Sequence, residues 1–164
     1  MAKAIFPGSF DPPTNGHINI ISRSAKLFEK VFVVIAENEE KKSLFSKKER
    51  ISFLEQIAKN FSNVEISICD EKLLVNYAKK IGANVMLRGL RNPNDFSYEL
   101  DLALTNKHID SSIDTLFIPC EHEHLITRSS AVKTICALGG DVSAFVPDFI
   151  AVALEEKFRE GLGQ

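Results

Sequence analysis

The residues that best indicate chemistry lie near the start of the chain, where a Gly- and Pro-rich turn precedes a histidine. The segment runs from Phe6 to His17 and reads FPGSFDPPTNGH. A short apolar strand, residues 4–6, leads into the turn, and Thr14 opens a helix whose first turn holds His17. A helix start presents unpaired backbone N–H groups and about half a positive charge, which suits phosphate. The pattern therefore predicts chemistry at a phosphate, with His17 as a directional hydrogen-bond donor.

This turn matches neither of two familiar phosphate-binding motifs. The sequence has no G-x-x-x-x-G-K-[ST] run, and the spacing of Gly8 and Gly16 does not form G-x-G-x-x-G. An ordinary strand-to-helix connection with a surface histidine is therefore an alternative interpretation. The dipeptide Gly16-His17 alone would fit that alternative equally well, whereas the complete twelve-residue string favours a functional turn.

Three further segments carry cationic or hydroxyl side chains, and each follows a predicted strand. They span residues 41–45, 88–99 and 126–133. Loops that follow the strands of a parallel sheet lie at one edge, where ligands bind near the switch in strand order. We therefore expect six side chains to surround one cleft and to bind a multiply charged anion: His17, Lys41, Lys42, Arg88, Arg91 and Lys133.

Three of these assignments have a structural alternative. Arg88 ends a predicted strand, where an arginine often only reaches water. Lys41 and Lys42 follow three glutamates, which is also typical of a solvated charged segment. Arg91 is close enough in sequence to pair with Asp95 or Glu99 instead of a ligand.

The sequence shows no activated nucleophile and no strong metal-binding motif. Its serines lack a G-x-S-x-G setting, and its three cysteines lie in or beside apolar stretches. The run His122-Glu123-His124 has no further ligand nearby and fits surface residues better than a metal site, so we predict no protein metal ligand. This pattern favours direct transfer between bound substrates, as in phosphoryl or nucleotidyl transfer, which needs positioning and charge neutralisation.

Short apolar runs alternate with amphipathic stretches along the chain. Five runs, rich in Val and Ile, predict strands buried on both faces: residues 4–6, 31–36, 64–69, 85–87 and 115–118. The intervening stretches predict helices. The order indicates an α/β fold, a Rossmann-like doubly wound sheet of about five parallel strands flanked by helices, in a single domain over residues 1–164.

Capping residues predict where several helices begin and end. Ser46 and Glu49 form a capping box for the second helix, and Asp70 and Gly82 are the expected N-cap and C-cap of a third helix over residues 71–81. A fourth helix is expected over about residues 94–108. A fifth is expected from Ser129 or Ser130 to the glycines at 139–140, and a last one after Pro147.

The bulk composition sets limits on the class of protein. The chain has 164 residues, of which 45% are apolar and 26% charged, as in an ordinary globular domain with a full core. A net charge of −2 gives no general attraction for nucleic acid. The scattered cysteines indicate a reducing compartment, and we expect neither a signal peptide nor a membrane segment. The expected location is the cytoplasm, with no nucleic-acid or membrane partner.

Taken together, these motifs resemble those of the bacterial phosphopantetheine adenylyltransferases, a family of the nucleotidyltransferase superfamily marked by a Gly-His motif. The similarity covers nearly the whole chain and is strongest at residues 7–17, 41–45, 88–91 and 95–99. The resemblance implies transfer of AMP from ATP to 4′-phosphopantetheine, giving dephospho-coenzyme A and pyrophosphate in coenzyme A biosynthesis. It also implies Mg²⁺ as cofactor, a homohexamer, and coenzyme A as a feedback ligand.

The resemblance also implies a role for individual residues. The catalytic residues would be His17, Lys41 and Arg88, and the phosphopantetheine-binding residues would be Ser9, Lys41, Leu74 and Arg88. The ATP-binding residues would be Ser9, Phe10, His17, Gly89, Leu90, Arg91, Glu99, His124, Leu125, Ile126, Thr127, Arg128, Ser129 and Ser130. One departure stands out, because Arg128 occupies a position where the family commonly has a small hydroxyl residue.

The expected mechanism is a direct in-line attack of the phosphopantetheine phosphate on the α-phosphorus of ATP, without a covalent enzyme intermediate. Two alternatives remain open on the sequence. One is a nucleotidyltransferase of the same fold that acts on nicotinamide mononucleotide or glycerol phosphate. The other is a catalytically silent module that senses a nucleotide or coenzyme A.

Overall fold

A computed structural model describes residues 2–36, 42–124 and 128–162. Its five strands are β1 (Lys3–Gly8), β2 (Lys30–Ile35), β3 (Val64–Ile68), β4 (Val85–Leu90) and β5 (Asp114–Pro119). Its helices are α1 (Asn15–Ala25), α2 (Lys47–Ala58), α3 (Leu74–Lys80), α4 (Pro93–Ile109), α5 (Ser129–Ala137) and α6 (Asp148–Leu162), with a short 3₁₀ helix at His122–His124.

The strands form one sheet in the order β3-β2-β1-β4-β5, and all four neighbouring pairs are parallel. The predicted α/β architecture of about five parallel strands is therefore confirmed. The chain runs outward from β1 to β3 and then returns to the other side of β1 to form β4 and β5. The switch in strand order thus lies between β1 and β4, and a ligand site is expected at the carboxyl ends of these two strands.

Alternate residues of the central strands enter two cores, one on each face of the sheet. On one face, Val31 and Val33 pack with side chains from α1, α2, α5 and α6. On the other face, Phe32 and Val34 pack with Val75 and neighbouring residues of α3. Burial on both faces explains why the central strands β1 and β2 lack polar alternation. The prediction of burial on both faces is wrong for the edge strand β5, where Leu116 is 45% exposed.

The start of the third helix differs from the prediction. α3 begins at Leu74, and its N-cap, Leu73, makes no side-chain capping bond. Asp70 lies three positions before this N-cap, and its carboxylate instead accepts a hydrogen bond from the Lys80 ammonium at 2.6 Å. The C-cap is Ile81, and Gly82 follows it with φ of +72°, a left-handed conformation that favours glycine.

The other helix limits lie close to those predicted, including α4 and the end of α5 before the glycines at 139–140. Within the residues described, no helix combines the length and apolar character that crossing a membrane requires.

Candidate functional site

The turn between β1 and α1 fixes the orientation of His17 through a reciprocal capping box. The Thr14 hydroxyl accepts a hydrogen bond from the His17 backbone N–H at 3.4 Å, and the His17 Nδ1 accepts one from the Thr14 backbone N–H at 3.0 Å. Because Nδ1 is an acceptor, the proton of the neutral ring lies on Nε2. The fold therefore makes Nε2–H the hydrogen-bond donor of this imidazole.

The His17 ring packs against two aromatic rings at the base of the turn. Its centroid lies 5.1 Å from that of Phe10 and 6.3 Å from that of Phe6. Burial of the ring, with a smaller contribution from the positive charge of Arg91, lowers the pKa of His17 to about 4. The free protein therefore carries a neutral His17 at pH 7.

This low pKa predicts a pH dependence of stability. The ordinary value of about 6.5 applies to the unfolded chain, so between about pH 6.5 and 4 the unfolded chain binds more protons. The free energy of unfolding should fall as the pH decreases through this window, by about 1–2 kcal/mol at pH 5. Urea unfolding of the wild type and of His17→Gln at pH 7 and pH 5 measures this. Equal losses in both proteins would contradict the assignment.

Two adjoining cavities open at the carboxyl ends of β1 and β4, as the strand order predicts. The His17 cavity, of about 350 Å³, is lined by residues that include His17, Arg88, Arg91, Glu99 and His124. The anion cavity, of about 530 Å³, is lined by Ser9, Asp11, Lys42, Ser43, Arg50, Arg91, Arg128, Ser129, Ser130 and Lys133. Ser9 and Arg91 line both cavities, so one elongated ligand can span them.

Cationic side chains dominate the anion cavity. Five lysines and arginines line it, against one carboxylate, Asp11. That carboxylate accepts a hydrogen bond from Lys133 Nζ at 2.6 Å, which offsets its charge. The arrangement suits a polyphosphate, for which several cations must neutralise several charges.

Arg88 is held in place by Glu99. Its Nε and Nη2 donate to the two carboxylate oxygens of Glu99 at 2.5 and 2.6 Å, and the two side chains are 23% and 13% exposed. Arg88 and Glu99 also line a third cavity of about 220 Å³, whose other walls include Leu74 and Leu102. Arg88 therefore lies where a largely apolar cavity meets the His17 cavity.

Arg91 and Arg128 share the carboxylate of Asp95. Arg91 Nε lies 2.9 Å from one oxygen, and Arg128 Nη2 lies 3.9 Å from the other. The pairing of Arg91 with Asp95, one of the two alternatives left open by the sequence, is thus observed. Arg128, the departure from the family pattern, lines the anion cavity and adds a positive charge to its wall.

The structure brings together five of the six cationic residues expected to converge. His17, Arg88 and Arg91 line the His17 cavity, while Lys42 and Lys133 join Arg91 around the anion cavity. The sixth, Lys41, lies outside the described residues, as do three predicted ATP-loop residues: Leu125, Ile126 and Thr127.

The remaining predicted site residues differ in their placement. Ser9, Gly89 and His124 line the His17 cavity, and Arg128, Ser129 and Ser130 line the anion cavity. Gly89 also approaches α1 closely, since a Cβ there would lie 2.4 Å from Ile20 Cδ1. Phe10 is buried against His17, and Leu90 pairs with Pro119 at the end of β4. Their ATP-binding roles stay predictions.

Sequence reasoning missed two buried charged residues. Arg50 is 2% exposed, and its Nη1 donates to the Ser9 carbonyl at 2.8 Å. Arg50 is four and seven positions before Leu54 and Ile57, so it lies on the buried face of α2, and this spacing could have predicted its burial. Asp11 is 5% exposed and was part of the quoted motif, but no role was assigned to it.

The carboxylates at these cavities are already engaged by protein cations. Asp11 contacts Lys133, and Glu99 contacts Arg88. In the parts of the chain that the structure describes, no group of three His, Cys, Asp or Glu side chains could hold a metal ion. Because lysine and arginine already engage these carboxylates, the residues present do not fit a dedicated protein metal site.

A family model and curated relatives match this chain. The cytidylyltransferase-like family model matches residues 5–135. The chain is 46% identical over 160 residues to a phosphopantetheine adenylyltransferase from Caldanaerobacter subterraneus subsp. tengcongensis, covering 98% of this chain and 99% of that protein. It is also 46% identical to one from Dictyoglomus thermophilum, covering 96% of each.

Solved structures with low sequence identity share the fold. A Plasmodium falciparum nicotinic acid mononucleotide adenylyltransferase complexed with APC aligns with a TM-score of 0.65 and 17% identity, over 96% of both chains. The lipopolysaccharide core biosynthesis protein from Thermoplasma volcanium aligns with a TM-score of 0.53 and 20% identity, over 74% of this chain and 97% of that one. These two similarities concern the architecture alone.

Proposed function

The chain belongs to the phosphopantetheine adenylyltransferase family, and we propose that it transfers AMP from ATP to 4′-phosphopantetheine by direct in-line attack. The products are dephospho-coenzyme A and pyrophosphate, in coenzyme A biosynthesis. The position of Arg88 is the observation that best supports this reaction mechanism. It lies at the junction of an apolar cavity and the cavity that holds His17, where an acceptor phosphate would meet the nucleotide.

The three cavities match the parts of the two substrates. The apolar cavity beside Leu74 suits the pantetheine arm, and Arg88 suits its terminal phosphate. The His17 cavity would hold the α-phosphate of ATP. The anion cavity would hold the β- and γ-phosphates, because its lysines and arginines outnumber its carboxylate.

The reaction needs positioning more than a protein nucleophile or base. The acceptor phosphate is ionised at neutral pH, so its oxygen can form the new bond to the α-phosphorus while the bond to the β-phosphate oxygen breaks. Negative charge builds on the non-bridging α-phosphate oxygens during this exchange. His17 Nε2–H would donate to one of these oxygens, and Arg88 would hold the attacking phosphate against charge repulsion. Lys41 is proposed to assist Arg88.

Mg²⁺ belongs to this proposal as part of the substrate. The cavity carboxylates Asp11 and Glu99 contact lysine and arginine, so the ATP phosphates would carry the ion. The protein residues then bind the Mg²⁺–ATP complex through the charges left on its phosphates.

We also propose a homohexamer, the cytoplasm as location, and coenzyme A as a feedback ligand at the same cavities. The hexamer is supported by helix α4, which contributes no buried residue in this single chain. Tyr98 and Leu104 on this helix are 64% and 61% exposed. A long helix that leaves such large side chains in contact with solvent is typical of a surface covered by another subunit. Light scattering would then give a molar mass six times that of the 18.3 kDa chain.

One assay tests the proposed function. The purified protein is incubated with ATP and Mg²⁺ and separately with phosphopantetheine, nicotinamide mononucleotide or glycerol phosphate, and pyrophosphate and product masses are followed. We expect efficient pyrophosphate release only with phosphopantetheine, together with the mass of dephospho-coenzyme A. Release only with another acceptor would indicate a different nucleotidyltransferase, and ATP binding without release would indicate a sensing module.

A further inference from the structure

The turn formed by residues 9–12 is hydrogen-bonded to two walls of the anion cavity, one after β2 and the other on α5. On one side, the Asp11 carboxylate accepts hydrogen bonds from the backbone N–H groups of Leu44 and Phe45, at 3.0 and 2.9 Å. On the other side, the same carboxylate accepts one from Lys133 of α5 at 2.6 Å. A single buried side chain thus connects the segment after β2 with the helix that follows β5.

Two more hydrogen bonds follow the same pattern. The Arg50 guanidinium of α2 donates to the Ser9 carbonyl at 2.8 Å, and the Ser129 hydroxyl of α5 donates to the Pro12 carbonyl at 2.8 Å. The turn is therefore joined to α2 on one side and to α5 on the other. These residues are separated from the turn by about 30 to 120 positions in sequence, so the network sets the relative placement of distant segments.

We propose that Asp11 is a positioning residue that couples the two walls of the anion cavity, so that an anion bound against α5 further stabilises the position of residues 42–46. The coupling deepens the proposed function and rests on it. It makes binding of the ATP pyrophosphate moiety in the anion cavity fix the segment that follows Lys41, a residue proposed to assist Arg88 in holding the acceptor phosphate.

The chemistry of Lys133 allows this coupling. Its ammonium carries three donors, so it can contact an anion in the cavity while keeping its bond to Asp11. An anion that fixes Lys133 also fixes the Asp11 carboxylate, and the carboxylate in turn fixes the amides of Leu44 and Phe45. Asp11 is 5% exposed, so the bonds from the amides of Leu44 and Phe45 to its carboxylate are largely shielded from water.

Hydrogen–deuterium exchange with inorganic pyrophosphate as the probe tests the coupling. In the wild type, pyrophosphate should slow exchange in peptides covering residues 43–53 by several-fold. In Asp11→Asn this slowing should be lost, although pyrophosphate still binds. Lys133→Met, which removes the α5 end of the connection, should abolish the slowing as well, and Lys133→Arg should retain it. These variants keep the test decisive if one of them folds poorly.

A matched control and an activity readout separate coupling from simpler effects. Glu65→Gln makes the same acid-to-amide change in a surface ion pair with Lys30, and should behave as the wild type. At saturating ATP, Asp11→Asn should lower kcat/KM for phosphopantetheine at least 10-fold. A merely electrostatic Asp11 would instead give tighter pyrophosphate binding with unchanged acceptor use.

The coupling is refuted if pyrophosphate slows exchange equally in the wild type and in Asp11→Asn, or has no effect on these peptides in the wild type. Failure of the proposed function has a different signature. In that case the wild type forms no dephospho-coenzyme A, while the exchange experiment with pyrophosphate still gives its answer.

Discussion

Replacing His17 with alanine should lower kcat by roughly 10²–10⁴-fold, with a much smaller change in ATP binding. The imidazole presents Nε2–H because its Nδ1 is occupied by the Thr14 backbone N–H, so the donor is oriented before the substrate binds. Such a preorganised donor acts mainly where charge develops, on the α-phosphate in the transition state. Steady-state kinetics with both substrates varied, together with calorimetric binding of ATP, measures the two effects separately.

The control for this variant is His122→Ala, which removes an exposed imidazole that lines neither the His17 cavity nor the anion cavity. It should leave kcat unchanged. Because the His17 ring packs on Phe10, thermal unfolding of the His17 variant shows whether lost activity reflects lost structure. Near-normal turnover in a folded His17→Ala protein would remove this residue from the mechanism.

Replacing Arg88 with lysine should lower kcat/KM for phosphopantetheine by roughly 10²–10³-fold and leave the KM for ATP nearly unchanged. Lysine keeps the charge but cannot donate two parallel hydrogen bonds to Glu99 while also facing a phosphate. The acceptor phosphate would then be bound more weakly and would no longer be oriented toward the α-phosphorus. Initial rates with phosphopantetheine varied at saturating ATP measure this change.

Arg159→Lys provides the matched control, because Arg159 pairs with Glu155 on the exposed surface of α6 and lines none of the three cavities. Its kinetics should match those of the wild type. An Arg88→Lys enzyme with unaltered acceptor kinetics would show that the guanidinium serves the fold through Glu99 and does not bind substrate.

The fold was largely predictable because both cores draw on apolar runs that the sequence displays directly. Strands β1 and β4 extend further than their apolar runs, to Gly8 and to Leu90, because parallel neighbours pair with these residues whatever their polarity. The start of α3 was not predictable from local pattern. Asp70 is a residue type that often caps helices, but the helix begins only at Leu74, and the Asp70 carboxylate pairs with Lys80 at the other end of α3.

The convergence of the cationic residues was predictable for a topological reason, since parallel strands bring their following loops to one edge. The ion-pair partners of those residues were not predictable from the sequence. Asp11 and Lys133 are 122 positions apart, and no local rule pairs them. The sequence left open whether Arg91 pairs with Asp95 or with Glu99. In the fold Arg91 pairs with Asp95, and Glu99 pairs with Arg88.

The stereochemical course at the α-phosphorus tests the central claim most directly, which is that the protein brings two anionic substrates together for a single in-line displacement. The measurement uses one diastereomer of ATP carrying sulfur on the α-phosphate, with phosphopantetheine as acceptor, and assigns the configuration of the thiophosphoryl product. A single displacement predicts inversion at this phosphorus. Retention would require two displacements through a covalent enzyme intermediate and would contradict the account.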